Sequence, residues 1–385
     1  MIDKIKIMHL VTMLELGGAQ QNTLYTVSHL DKSYFDVYLG SGPGGILTEE
    51  ATTLLGSKFE IIPHLIREIK PFYDIRALFD IIYYIKKVKP LIVHTHSSKA
   101  GILGRTAAYL SKAPIIIHSI HGYGFTRYQN IIKYNLLKLI ERIVSKYTTH
   151  FICVSEANKI QGIKYNLFNK DKVSIIRSGI EINLFKEADG ERIRKEFSLE
   201  KNNPLIVMVA CFKPQKAPLD FIYAAEIVHK RKPEARFMLV GDGILREEIQ
   251  KAIRERNLSD CFFLAGWRRD VPSILAASNV VVLTSLWEGL PRTIIEAIAS
   301  KKPVVATKVD GTADIIKDEI NGFLAKPHDI NTIATKIIEL LENKQLANKF
   351  VKESQAVLPE FDIDLMVKQQ EKLYFNLLKK FNLLK

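Results

Sequence analysis

The sequence predicts an α/β protein built from two doubly wound, Rossmann-like parallel sheets, and three observations carry that prediction. Short β-branched runs alternate with longer stretches of 3.6-residue periodicity, the pattern of repeated strand–helix–strand units. The alternation restarts near Pro204. The chain has 385 residues, too many for one ordinary domain and suited to two of roughly 180 residues each.

Taken in order, the first domain (1–185) reads as strands at 5–11, 35–39, 59–62, 91–94, 115–118, 151–154 and 173–176. The second (186–361) reads as strands at 205–209, 236–240, 262–264, 280–283 and 304–306. Helical periodicity fills the gaps, for example at 74–88, 219–230 and 244–256. The polar segment 186–203 reads as a linker with one helix at 191–197, and residues 362–385 as a terminal helix. Two such domains facing each other are expected to leave a cleft lined by the carboxyl ends of both sheets, where open α/β folds bind ligands.

Composition narrows the class. With 47% hydrophobic and 25% charged residues the chain is neither disordered nor a disulfide scaffold. Cys153, Cys211 and Cys261 leave an odd thiol in any pairing and form no Cys-x-x-Cys, so a reducing, cytoplasmic location is expected and a structural zinc site is not. No apolar stretch approaches the ~20 residues that span a bilayer. The net charge of +13 is uneven: residues 1–185 hold 23 Lys and Arg against 14 Asp and Glu, the rest 32 against 28. A basic first half suits an anionic partner: lipid head groups, a phosphorylated substrate or nucleic acid.

Two motifs mislead. Gly40-Ser-Gly-Pro-Gly-Gly45 matches a dinucleotide fingerprint, but it follows the second strand and Pro43 removes an amide that a pyrophosphate needs. Asp362-Ile-Asp364 imitates a metal-chelating pair, but it lies after the last strand and reads as a helix entry.

The strongest constellation is Glu288-Gly-Leu-Pro-Arg-Thr-Ile-Ile-Glu296, directly after an apolar strand. Pro291 introduces a helix, whose first-turn amides near Arg292–Ile294 make a seat for phosphate. Glu296 lies a turn further in and leans back toward the N-terminus, where a carboxylate can accept two hydrogen bonds from a ribose diol. Glu288 sits on the preceding loop, placed for the hydroxyls of a sugar on the same diphosphate. By themselves two glutamates eight apart are commonplace.

With this loop the sequence resembles the retaining, nucleotide-sugar-dependent glycosyltransferases of family 4, which have the GT-B fold and carry E-x7-E here. The resemblance runs along nearly the whole chain in order: Gly17-Gly18, His94-Thr-His-Ser-Ser-Lys-Ala-Gly101, His121-Gly-Tyr-Gly-Phe125, Val154-Ser-Glu156, Arg177-Ser-Gly-Ile180, Cys211-Phe-Lys-Pro-Gln-Lys216, Gly241-Asp-Gly243 and Asp310-Gly-Thr-Ala-Asp314. It implies that the last helix crosses back to the first domain.

The resemblance also assigns roles. Lys216 is expected to neutralise the leaving diphosphate, with His121 facing the reacting sugar and Glu288 beside it as the catalytic set. Gly17, Gly18, Lys213, Gly243, Trp267, Arg268, Gly289, Leu290, Arg292, Thr293 and Glu296 are the expected donor-binding residues, the base being held largely by backbone near Trp267. The family's arginine five residues before the lysine is Cys211 here; Lys213 is the expected substitute, without a guanidinium's fork. His96 and Lys99 are assigned to the acceptor side and His94 to the core. His94 and His96 share a strand face and could bind a metal, but the sequence offers no third ligand. Ser97 reads equally well as a helix cap.

One further pattern bears on partners. Over 131–147, Ile132, Leu136, Ile140, Ile143 and Tyr147 share a face, with Lys133, Lys138, Arg142 and Lys146 largely opposite. Such a helix either lies on an anionic membrane or packs on its own domain. The expectation is a transferase moving sugar from a nucleotide sugar, a UDP-sugar by preference, to a hydroxyl of a lipid-linked glycan intermediate of surface polysaccharide. It needs no metal or other cofactor, binds no nucleic acid, and works at the inner face of the plasma membrane. The rivals are a UDP-sugar epimerase of the same fold and a basic membrane- or nucleic-acid-binding protein.

Overall fold

The structure, a computed structural model, describes residues 4–384. It forms two compact units, one running from Ile180 to Asp362 and the other joining the chain up to Gly179 with the segment from Ile363 onward.

The first unit holds a seven-stranded parallel sheet: β1 (Ile5–Val11), β2 (Phe35–Ser41), β3 (Phe59–Ile61), β4 (Ile92–His96), β5 (Ile115–Ile120), β6 (His150–Cys153) and β7 (Val173–Ile175), in the order β3-β2-β1-β4-β5-β6-β7. Helices Pro71–Val88 and Ser98–Leu110 cover one face, burying Ala77, Ile81, Ile85, Ala100 and Ala107 against Met8, Leu10 and Val93. The terminal helix Ile363–Lys380 packs into the core on the other face through Met366, Val367, Tyr374, Leu377 and Leu378. Its apolar side is therefore spent on this unit, and Asp364 at its start accepts a hydrogen bond from Tyr25 Oη at 2.6 Å.

The second unit holds a six-stranded parallel sheet: β8 (Leu205–Val209), β9 (Arg236–Val240), β10 (Phe262–Gly266), β11 (Val280–Leu283), β12 (Val304–Thr307) and β13 (Phe323–Ala325), in the order β10-β9-β8-β11-β12-β13. Val280–Leu283 are at most 1% exposed, the continuous burial of a central parallel strand. The edge strand β13 is only three residues long and carries too little pattern to be read from sequence.

The segment 186–203 is not a linker. Helix Glu191–Glu196 packs on helix Val271–Ala277, Ile193 is fully buried, and Arg194 Nη1 donates to Ala277 O at 3.2 Å. A Cβ on Gly190 would fall 2.4 Å from Ala277 N, so glycine permits this close approach. Helix Ile182–Lys186 likewise packs on the second unit, which moves the break from 185–186 to Gly179–Ile180.

Candidate functional site

In an open parallel sheet, ligands bind at the carboxyl edge where the strand order reverses. That point lies between β1 and β4 in the first unit and between β8 and β11 in the second. The candidate residues gather at these two points, and each group is described on its own unit.

After β8 the chain makes a short turn, Pro214–Lys216; after β11 it runs through the loop that carries Glu288. The two loops are stitched together: Leu286 N–H donates to Gln215 O at 2.8 Å, and Gln215 Nε2 to Trp287 O at 2.9 Å. Thr284 Oγ1 donates to the carbonyls of Lys216 and Ala217, at 2.9 Å each. The result brings the Lys216 ammonium onto Glu288 Oε1, which also accepts from Ser285 Oγ at 2.6 Å. The Glu288 side chain is 7% exposed and that of Lys216 19%. Glu288 N–H donates to Asp310 Oδ2 at 3.2 Å, fixing the loop from β12's side.

Helix Arg292–Ala299 follows. Thr293 Oγ1 donates to Val209 O at 3.2 Å, docking the first turn on β8. Ile294 N–H is taken by Pro291 O at 3.1 Å, which removes one of the three amides expected to seat a phosphate. Glu296 and Arg292 form an (i, i+4) ion pair at 3.5 Å, both largely buried. Burial pushes the Glu296 carboxyl up, opposed by Arg292, and pulls the Arg292 guanidinium down, opposed by Glu296 and Glu181. Leu290 is 8% exposed and the Gly289 carbonyl packs so tightly on Gly311 that a Cβ there would lie 2.0 Å from it.

The outlying donor residues are placed less favourably. Gly243 N–H donates to its neighbour's Asp242 Oδ1 at 2.7 Å. The Arg268 guanidinium is committed to two carboxylates, with Nε on Asp270 Oδ1 and Nη2 on Glu196 Oε2, both at 2.8 Å. Bidentate pairing of this kind is the strong form of the ion pair, so the expected role of this side chain in donor binding has to compete with it. Trp267 is 46% exposed. Lys213 lies on extended backbone two residues after Cys211, a partly exposed free thiol.

At the first unit's reversal point, Gly17 precedes helix Gly18–His29 as its cap, with no side chain to block an approach. The neighbouring strand ends supply a cluster of imidazoles. His94, buried, bonds Tyr374 Oη at 2.7 Å through Nδ1 and Ser119 Oγ at 2.8 Å through Nε2. His96 bonds His9 (Nε2 to Nδ1, 3.0 Å) and His121 (Nδ1 to Nε2, 3.3 Å). Burial lowers His9 to about 3 and His121 to about 4, and holds His94, His96 and His118 well below the ordinary imidazole value. At neutral pH all five are uncharged. A small pocket of about 20 Å³, room for roughly one water, is lined by His96, Ser119, His121, Asn22, Thr26 and Gln370 among others. Lys99, by contrast, is tied to the Asp74 carboxylate and the Glu68 carbonyl, and Ser97 Oγ bonds Thr12 Oγ1 at 2.7 Å instead of capping its helix.

His9 is the third histidine that the sequence did not offer: ring nitrogens of His9, His94 and His96 lie within 4.8 Å of one another. Three imidazoles suit a zinc-like ion, but both nitrogens of His94 and of His96 are already hydrogen-bonded within the protein. In this structure His9, His96 and His121 are joined as a hydrogen-bonded chain. Sequence reasoning also passed over Ser285 and Asp310 as site residues, although Asp310 opens one of the motifs that carry the resemblance; their contacts with Glu288 appear only in the structure.

The chain is similar to known proteins along most of its length. Residues 16–184 match the family described as Glycosyltransferase Family 4, and residues 189–357 the one described as Glycosyl transferases group 1. A UDP-Gal:alpha-D-GlcNAc-diphosphoundecaprenol alpha-1,3-galactosyltransferase of Escherichia coli is 34% identical over 89% of each chain. A capsular polysaccharide biosynthesis glycosyltransferase of Staphylococcus aureus is 26% identical over 97% of this chain and 98% of its own. Among solved structures, Anabaena HepE in complex with UDP-glucose superposes with a TM-score of 0.82 at 20% identity, covering 97% of this chain and 100% of that one. Two parallel α/β sheets in this order, the E-x7-E helix on the second, and a relative of this similarity along both establish that the chain is a glycosyltransferase of family 4, with the GT-B fold.

Proposed function

We propose that this glycosyltransferase moves a sugar from a UDP-sugar to a hydroxyl of a lipid-linked glycan, with retention at the anomeric carbon and without a metal. The observation that carries the donor half is the Lys216–Glu288–Ser285 cluster, with the Arg292–Glu296 pair on the helix that follows, at the reversal of the second sheet. On this reading an arriving diphosphate draws the Lys216 ammonium from Glu288, leaving that carboxylate to accept a sugar hydroxyl, while Glu296 takes the ribose diol. The anomeric carbon–oxygen bond to phosphate breaks as the acceptor oxygen bonds the same face. The acceptor's proton passes to the leaving phosphate oxygen, whose charge Lys216 and the helix start stabilise. His121 and His96 stand on the acceptor side. The relatives' names support the substrates: the Escherichia coli enzyme uses UDP-Gal and a diphosphoundecaprenol acceptor, and a Campylobacter jejuni relative, 25% identical over 84% of this chain, acts on a diphospho-undecaprenol glycan.

A contact with anionic membrane belongs to the same reading. No described helix is long and apolar enough to cross a bilayer. The apolar face of helix Ile131–Ser145 is nonetheless turned outward, with Ile132 75%, Leu136 53% and Ile143 51% exposed, while Glu141 is buried against Arg105. Helix Pro71–Val88, which the sequence did not single out for this, exposes Phe72, Ile75, Phe79 and Tyr83. Exposed apolar rows among lysines suit an anionic lipid surface.

The test is a thermal-shift panel of nucleotide sugars followed by product analysis with the stabilising donor. A ligand at 100 times its Kd should add about 2.7 kcal/mol. Transfer to a diphospho-lipid glycan with retained configuration is expected; an isomerised free sugar nucleotide with no glycoside, or inversion, would overturn the reading. Flotation with vesicles containing phosphatidylglycerol should require the anionic lipid and fall with salt; no flotation would remove the membrane contact, and equal binding to neutral vesicles would remove its anionic character.

A further inference from the structure

Three neighbouring strand ends place His9, His96 and His121 in one line, linked nitrogen to nitrogen at 3.0 and 3.3 Å. The His9 and His96 rings lie nearly parallel, 10° apart with centroids 5.2 Å apart. Each neutral imidazole carries one N–H and one lone pair, so a chain of them must run in one direction or the other. Run toward His9, His121 Nε2–H donates to His96, His96 donates to His9, and the His9 proton ends on Nε2. That atom is buried and has no hydrogen-bond partner among the described residues. Run toward His121, His9 Nδ1–H donates to His96 and His96 Nδ1–H donates to His121 Nε2. The end at His9 is then only a lone pair, and the final N–H is Nδ1–H of His121, which is partly exposed. An orphaned buried N–H is the rarer and costlier end.

We propose that His9 and His96 fix the tautomer of His121, so that it meets substrate as a neutral Nδ1–H donor and not as a base. This rests on the reading of His121 as a residue of the acceptor side. Its Nε2 lone pair is occupied by His96, which leaves no site for accepting a proton from the acceptor hydroxyl. His121 instead donates to an oxygen of the substrate, and the deprotonation stays with the leaving phosphate. The same logic of a neutral imidazole polarising an oxygen is known from other active sites. His9, at 0% exposure, touches no substrate; it is a positioning residue acting through His96.

The test is a long-range proton–nitrogen correlation spectrum of the full-length protein labelled with 15N-histidine at pH 7.5, with His121 assigned by its loss in His121→Gln. The expected result is Nδ1–H at His121 in the parent, a mixture with Nε2–H in His9→Phe, and recovery of Nδ1–H in His9→Asn, whose amide N–H replaces the one on Nδ1. In parallel, His9→Phe should lower kcat with a UDP-sugar roughly tenfold, the worth of one hydrogen bond, leave KM little changed, and be rescued by Asn. Nε2–H at His121 in the parent overturns the proposal whether or not any variant folds. So does an unchanged tautomer in His9→Phe. If the tautomers behave as expected while His121→Gln turns over like the parent, the relay stands and the acceptor-side reading of His121 falls.

Discussion

Acidification should loosen the first unit, and the share that His9 contributes can be isolated. The ring is completely buried on β1, and burial lowers it from 6.5 to about 3. In the unfolded chain it takes up a proton as the pH passes below 6.5; in the folded one it waits until about 3. Between those values the unfolded state holds more protons, so stability falls as pH falls, from its full value above 6.5 to a floor below about 3. At pH 5.0 this difference amounts to about 2 kcal/mol for one such group. Because the two units need not unfold together, hydrogen exchange resolved to peptides covering β1 is a better assay than a global melt. After correction for intrinsic exchange rates, opening of β1 should rise about 30-fold more between pH 7.5 and 5.0 in the parent than in His9→Asn, which cannot titrate. Equal loss of protection in both proteins would mean that His9 is charged or solvated in the folded state, and the neutral imidazole chain would have to be given up.

Glu296→Gln should weaken UDP binding about 10- to 150-fold in calorimetry, the 1.5–3 kcal/mol of a charge-assisted hydrogen bond; unchanged affinity removes Glu296 from the donor site. Lys216→Ala should lower turnover about 100-fold or more and, by leaving the Glu288 carboxylate buried without its cation, also lower the melting temperature. If turnover barely changes while Lys213→Ala abolishes it, the diphosphate cation is Lys213. Cys211→Arg should either tighten UDP binding through a bidentate contact or weaken it by crowding Lys213; affinity and turnover both equal to the parent would show that this side chain faces away from the donor.

Much of the fold was legible because its signals are local. Strand–helix alternation and the restart after Pro204 gave both sheets, and β1, β8, β9 and β11 have the bounds read from the sequence. The Glu288–Glu296 spacing likewise sufficed to put one carboxylate on a loop and the other inside the first turns of a helix. The rest depended on what packs against what, which spacing does not encode. The segment 186–203 looked like a linker because it is polar, yet Ile193 and the bare Gly190 let it dock on helix Val271–Ala277. Arg268 looked available although one partner, Asp270, lies two residues on; the other, Glu196, lies 72 positions away and pairs with it only through the fold. His9 carried no motif at all, and only the order of strands, which sets β1 beside β4, brings it opposite His94 and onto His96. The outward face of helix Ile131–Ser145 was left open by its periodicity, since an amphipathic pattern fixes that two faces exist but not which one meets the protein. A buried ion pair, Arg105 with Glu141, settled that question by anchoring the other side. Local periodicity determines elements because it acts within a few residues; partners and exposure come from sheet order and side-chain pairing across the chain, and only the tertiary structure decides those.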